Sequence, residues 1–193
     1  MRIFPTVLIG IVGAFGSYAA QAQAFDAQAL AFELRSPDIA PGSTIKETYV
    51  FNGFGCTGQN TSPTMIWHNT PAGTKSFALM VHDPDAPTGG AGFWHWVVVD
   101  IPAKTSSLAQ GMGTSQGEGL PKGARQIPTD FGAPGWGGPC PPTGDAPHRY
   151  TFTVYALKVD RLELPANATA SLTGFMVNAN AIGKASFQAG YGR

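Results

Sequence analysis

Three stretches of the chain alternate apolar and polar positions clearly enough to predict strands. Over Ser76–His82 the period of two puts Phe77, Leu79 and Val81 on one face. Phe93–Ile101 repeats the pattern more strongly, with Trp94, Trp96 and Val98 expected on one face and His95, Val97 and Val99 on the other. In Arg149–Val159, Tyr150, Phe152 and Val154 share one face and Thr151, Thr153 and Tyr155 the other. Shorter strands are expected at Ala29–Arg35, Lys46–Phe51, Thr64–Trp67 and Lys184–Tyr191. One stretch changes period. Across Ala168–Ile182, Leu172, Phe175, Met176 and Ala179 fall at helical spacing. Between these elements lie polar loops rich in Gly and Pro, at 52–62, 83–92, 104–126 and 128–147. Many strands and one clear helix predict a mainly β, antiparallel sandwich with one or two peripheral helices.

Composition sharpens this picture. The chain has 193 residues, 25 Gly and 16 Pro, which suits turns better than long helices. Only 12% of residues are charged, and 12 basic residues balance 12 acidic ones. Nothing here matches the basic surface of a nucleic-acid binder or the high charge of a disordered chain.

The N-terminus reads as an address. Arg2, an apolar run from Ile3 to Phe15 and the small-residue end Ala22-Gln23-Ala24 fit a secretory signal peptide over residues 1–24. A single domain, 25–193, is expected to remain, exported to a periplasm or medium, with no later segment apolar enough to span a bilayer. Cys56 and Cys140 are the two cysteines. In an oxidising compartment they pair as one disulfide or stay as two buried thiols, and the sequence leaves both open.

The candidate chemistry clusters at the ends of the strong strands. Asp83-Pro84-Asp85-Ala86-Pro87 holds two carboxylates one residue apart in a stiff turn, His95 follows on the next strand, and His148-Arg149-Tyr150 opens another. If those ends meet, two Asp, two His and a Tyr share one site. An Asp beside a His favours the imidazolium, and that cation, with the Tyr hydroxyl and a Gly138 N–H, would suit a phosphate or carboxylate. The same residues also have bland readings: Asp capping its own turn, a satisfied His95, and Arg149 in a structural ion pair with Asp83 or Asp85. No cofactor and no metal are expected. Asp83-x-Asp85 with histidines lacks a supporting His-x-His or Glu-x-x-His pattern.

Taken together the motifs resemble the phosphatidylethanolamine-binding protein family. Its two signature regions are matched by Asp83-Pro84-Asp85-Ala86-Pro87 with His95-Trp96 and Asp100-Ile101-Pro102, and by Gly138-Pro139 with His148-Arg149-Tyr150. Gly55-Cys56, Asp130-Phe131-Gly132 and Cys140-Pro141-Pro142 resemble its bacterial, YbhB/YbcL-like branch. The resemblance implies a large antiparallel sheet against a smaller one, and an anion pocket for phosphate, acetate or a phosphoethanolamine head group. Carried over by position, that pocket uses Asp83, Asp85, Pro87, His95, Gly138, Pro139, His148 and Tyr150. His95, Tyr150 and the Gly138 N–H would donate to the anion, and Asp83 would orient and charge His95. Asp85 and Pro87 would fix the loop, and His148 would form a second titratable wall. Anion affinity should then rise as pH falls from about 8 to 6. The leading expectation is a non-enzymatic binding module for a phospholipid head group, a metabolite or a phosphorylated partner. A protein-interaction role, as an inhibitor of a kinase or protease, is the alternative, and a metal-dependent phosphoester hydrolase is the third reading.

Overall fold

The computed structural model describes residues 31–193. The signal-peptide expectation for residues 1–24 therefore lies outside the described residues. Five strands make the large sheet, in the order β10 (Ala181–Tyr191), β9 (His148–Leu157), β5 (Ser76–Asp83), β6 (Phe93–Pro102), β8 (Arg125–Gln126), with every neighbouring pair antiparallel. A three-stranded sheet joins β1 (Glu33–Arg35), β4 (Met65–His68) and β7 (Ser107–Leu108). A small hairpin pairs β2 (Asn52–Gly53) with β3 (Cys56–Thr57). The fold is the expected mainly β, antiparallel arrangement, with one helix among the described residues, α1 (Ala170–Asn180).

The alternation read from β5 and β9 sorts the core into two layers. Phe77, Leu79, Val81, Phe152 and Val154 pack toward the small sheet, against Leu34, Met65, Trp67 and Leu108. Ala78, Met80, Val97, Val99 and Leu157 pack on the opposite face, against Ala170 and Val177 of the helix. Burial of such side chains contributes about 1.5–3 kcal/mol each, so the two layers dominate folding.

Three expectations fail for identifiable reasons. Lys46–Phe51 is a run of turns, because Tyr49 and Val50 donate their N–H to Lys46 and Glu47. Its apolar side chains are still buried, which is what its composition signalled. The last strand starts at Ala181, directly after α1, and not at Lys184. The helix also turns the other way. Ala170, Thr173, Gly174 and Val177 are buried, while Leu172 and Phe175 are exposed. Small residues let the helix axis approach the sheet, where Gly174 meets Met80 and Trp94. Thr169 caps the start of the helix by accepting from the Leu172 N–H at 3.1 Å.

Candidate functional site

β6 does not keep its period of two. Val81 pairs with Trp96 but His82 pairs with Trp94, so His95 is an extra residue with no partner on β5. This is a β-bulge, and bulges re-aim side chains. Trp94 turns to the helix side, while His95 joins Trp96 and Val98 on the other. The expected grouping of Trp94 with Trp96 and of His95 with Val97 is therefore wrong at this end. His95 now stands edge-on to Tyr150, with ring centroids 5.1 Å apart.

The ends of β5, β6 and β9 close around a cavity of about 230 Å³. Asp83, Pro87, His95, His148 and Tyr150 line it, so five of the expected site residues come together. Phe54, Phe93, Phe131, Cys140, Pro141 and Pro142 complete its largely apolar wall. Asp85, Gly138 and Pro139 do not line it.

Asp83 is buried, and both of its oxygens are engaged. One accepts from the Asp85 N–H at 2.8 Å and the other from His148 Nδ1 at 2.7 Å. His148 Nε2 lies 3.5 Å from Asp145. The histidine that Asp83 orients is thus His148, not His95. His95 Nδ1 points instead to the Gly137 carbonyl at 2.6 Å. A carbonyl only accepts, so Nδ1 carries the proton and the neutral ring is bare at Nε2. Burial pushes the His95 imidazole down to about 4, outweighing the opposite pull of the Gly137 carbonyl and of Asp83. This burial works against the expected imidazolium near neutral pH at this residue. Burial likewise raises the Tyr150 phenol, with the Asp83 charge adding to it.

Asp85 serves the frame. It accepts from the Arg149 N–H at 2.8 Å and pairs with the Arg149 guanidinium at 2.6 Å, which holds its carboxyl down at about 2. Arg149 is the structural ion-pair partner that one reading anticipated.

The Gly138 N–H, expected to face the anion, donates to Asn60 Oδ1 at 2.8 Å. A Cβ at Gly138 would collide with the Tyr49 carbonyl, so the residue's role is close packing. Cys140 lines the cavity, and its N–H has no backbone acceptor among the described residues. No sequence signal distinguished it from Gly138, because the difference depends on Asn60, 78 residues away.

Cys140 is also bonded to Cys56, with a Cα–Cα distance of 6.0 Å, which settles the open choice between disulfide and thiols. Arg193 reinforces the same rim. Its guanidinium donates to the Pro141 carbonyl at 2.7 Å and to the Gly55 and Phe54 carbonyls at 3.0 and 3.1 Å. The hairpin carrying Phe54 and the strap 138–142 are thus tied by one covalent link and three hydrogen bonds. Aromatic rings cover the mouth, with Phe131 at 4.5 Å from Phe51, 4.9 Å from Phe93 and 5.8 Å from Phe54.

The family model described as "Phosphatidylethanolamine-binding protein" matches residues 35–192, nearly all of this fold. The chain belongs to that family. Among its relatives are two UPF0098 proteins of Escherichia coli K12. YbcL is 50% identical over 161 residues, covering 83% of this chain and 87% of YbcL. YbhB is 45% identical over 157 residues, covering 81% and 98%. The crystal structure of E. coli YbcL superposes with a TM-score of 0.82 at 47% identity, over 85% of this chain and 99% of that one. A family homologue from Chlamydia trachomatis gives 0.70 at 30% identity, over 84% and 98%. The chain is thus a bacterial-type, YbhB/YbcL-like member of the family, as its motifs suggested. Among the described residues no helix is long and apolar enough to cross a membrane.

Proposed function

We propose that this protein is an exported, non-enzymatic binding module whose cavity takes one small phosphate or carboxylate group. The observation that carries this reading is a neutral His95, bare at Nε2, set beside Tyr150 in a 230 Å³ cavity with the unengaged Cys140 N–H. Tyr150 and the Cys140 N–H donate to the anion. His95 takes the ligand's acidic proton at Nε2, and that N–H then donates to the anion. The carboxylates nearby are already engaged, Asp83 by Asp85 and His148 and Asp85 by Arg149, which supports binding over catalysis. Phospholipid head groups, phosphorylated metabolites and phosphorylated partners share this chemistry.

The complex holds one proton more than the separate protein and dianion, so affinity rises as pH falls. A phosphate ester takes its second proton near about pH 6, and free His95 takes one near about 4. The rise therefore runs down to about pH 6, affinity is level between about 6 and 4, and it falls again below about 4. Around His95, the Gly137 and Gly138 backbone and the Asp83 carboxylate favour the charged ring and His82 opposes it. Tyr150, Phe93 and Phe131 face it as rings.

Calorimetric titration with phosphate, phosphoethanolamine and acetate at pH 5 and pH 8 tests the reading. Saturable phosphate binding is expected at pH 5, at least about tenfold weaker at pH 8. In His95→Ala the pH 5 affinity drops by a similar factor. Equal affinity at both pH values, or an unchanged variant, would refute the reading. A protein-interaction role is the second reading, favoured by the exposed Phe175 (71%) and Leu172 (40%) on α1. A partner complex that survives His95→Ala but is lost in Phe175→Ser would support it.

A further inference from the structure

Next to the anion cavity lies a second one of about 420 Å³. We propose that the two are halves of one site, and that the outer chamber takes the uncharged, hydroxyl-bearing body of the same ligand, as in a sugar phosphate. This rests on the anion reading of the inner chamber. The two chambers share a wall, because Phe131 lines both. Gly137, whose carbonyl holds His95 from one side, lines the outer chamber. The Phe131 ring lies directly on Gly137, where a Cβ would collide with it. Gly137 lies behind the His95 ring, on the Nδ1 side, so a ligand held at Nε2 reaches the outer space past Phe131.

The lining of the outer chamber selects its occupant. No charged side chain contributes to it, so a charged body would lose its hydration with nothing in return. Part of its backbone is also committed. The N–H groups of Thr61, Thr129, Trp136 and Gly137 donate to the Thr48, Ala133, Gly113 and His95 carbonyls at 2.8–3.0 Å. Hydroxyls are what remain. Ser62 and Thr114 only accept, from the Gly113 and Glu118 N–H groups, and no protein acceptor among the described residues takes the O–H of Thr61, Ser62 or Thr114. Ser62 is 2% exposed, so its unspent O–H sits in a wall and not in bulk water. A hydroxyl gives and accepts at once, which matches a ligand rich in hydroxyls. Phe51 and Phe131 add flat apolar surface for the C–H face of a sugar ring. The volume lies within the range of small-molecule sites, roughly 300–1,000 Å³, which the inner cavity alone does not reach.

Titration of the protein at pH 5 with inorganic phosphate, glucose 1-phosphate and methyl glucoside, followed by amide NMR, tests this. Glucose 1-phosphate is expected to bind about tenfold tighter than phosphate. It should shift the amides of Thr61, Gly113 and Thr114, which phosphate leaves in place. Thr61→Val should remove most of that gain and leave phosphate affinity unchanged. Methyl glucoside should shift the same three amides weakly, and that outcome stands even if phosphate fails to bind and the anion reading falls. The proposal is overturned if glucose 1-phosphate binds no tighter than phosphate, or if neither sugar probe moves those amides.

Discussion

The two ends of β6 use the same device for opposite purposes. Each carries a bulge, one residue extra at His95 and another where Val99 and Asp100 face Ala78. Asp100 sits at φ +57° and is buried, and everything it can accept is supplied. The Leu162 N–H donates at 2.8 Å, Arg125 Nε at 2.6 Å, and Arg161 lies at 4.0 Å. His95 is equally buried, but only one of its nitrogens is engaged. A bulge that aims a polar group into the frame makes structure. A bulge that leaves part of that group unspent in a cavity makes a site.

Breaking the structural end should give the largest effect. Asp100→Ala leaves Arg125 and the Leu162 N–H without their acceptor, and is expected to cost about 3 kcal/mol of stability in urea unfolding. Phosphate affinity of the folded fraction should not move. A variant of normal stability with weakened binding would reverse the roles assigned to the two bulges.

A smaller effect is expected at the rim. Arg193→Met removes three hydrogen bonds from the Phe54 hairpin and the Pro141 strap but leaves the Cys56–Cys140 bond. Phosphate affinity should fall severalfold while the melting temperature drops by only a few degrees. Unchanged affinity would mean that the disulfide alone sets the width of the cavity.

The smallest effect belongs to Asp85. Arg149 keeps its carboxyl at about 2, below the unfolded value of about 3.9. The pair therefore stabilises the protein above about pH 4, and that contribution fades as pH falls from about 4 to about 2. Both partners are partly in water, so the contribution is screened and small. Melting curves of wild type and Asp85→Asn should differ slightly at pH 6 and converge at pH 2. A constant offset across that range would contradict the assignment.

The strands were the legible part of this fold. β5 and β9 keep strict alternation, so Phe77, Leu79, Val81, Tyr150, Phe152 and Val154 fall where their pattern places them. Asp83, His95, His148 and Tyr150 were legible as a set through the family motifs, more than through their spacing. Their wiring was not. An unbroken period of two hides the bulge at His95, and with it the fact that Asp83 reaches His148. The state of the Gly138 N–H depends on Asn60, a contact no local pattern encodes. On α1, hydrophobicity pointed to Leu172 and Phe175, but close approach to the sheet selects Gly174 and Thr173 for their size.

In the proposed binding mode His95 is neutral when free and takes up a proton with its ligand. Side-chain ¹⁵N NMR reads this directly. In the free protein Nδ1 should carry the proton and Nε2 should stay bare until about pH 4. Saturating phosphate should move that midpoint upward by at least one pH unit, on the order of a tenfold linkage. An Nε2 already protonated at pH 7 without ligand, or a midpoint that phosphate leaves where it was, would contradict the account.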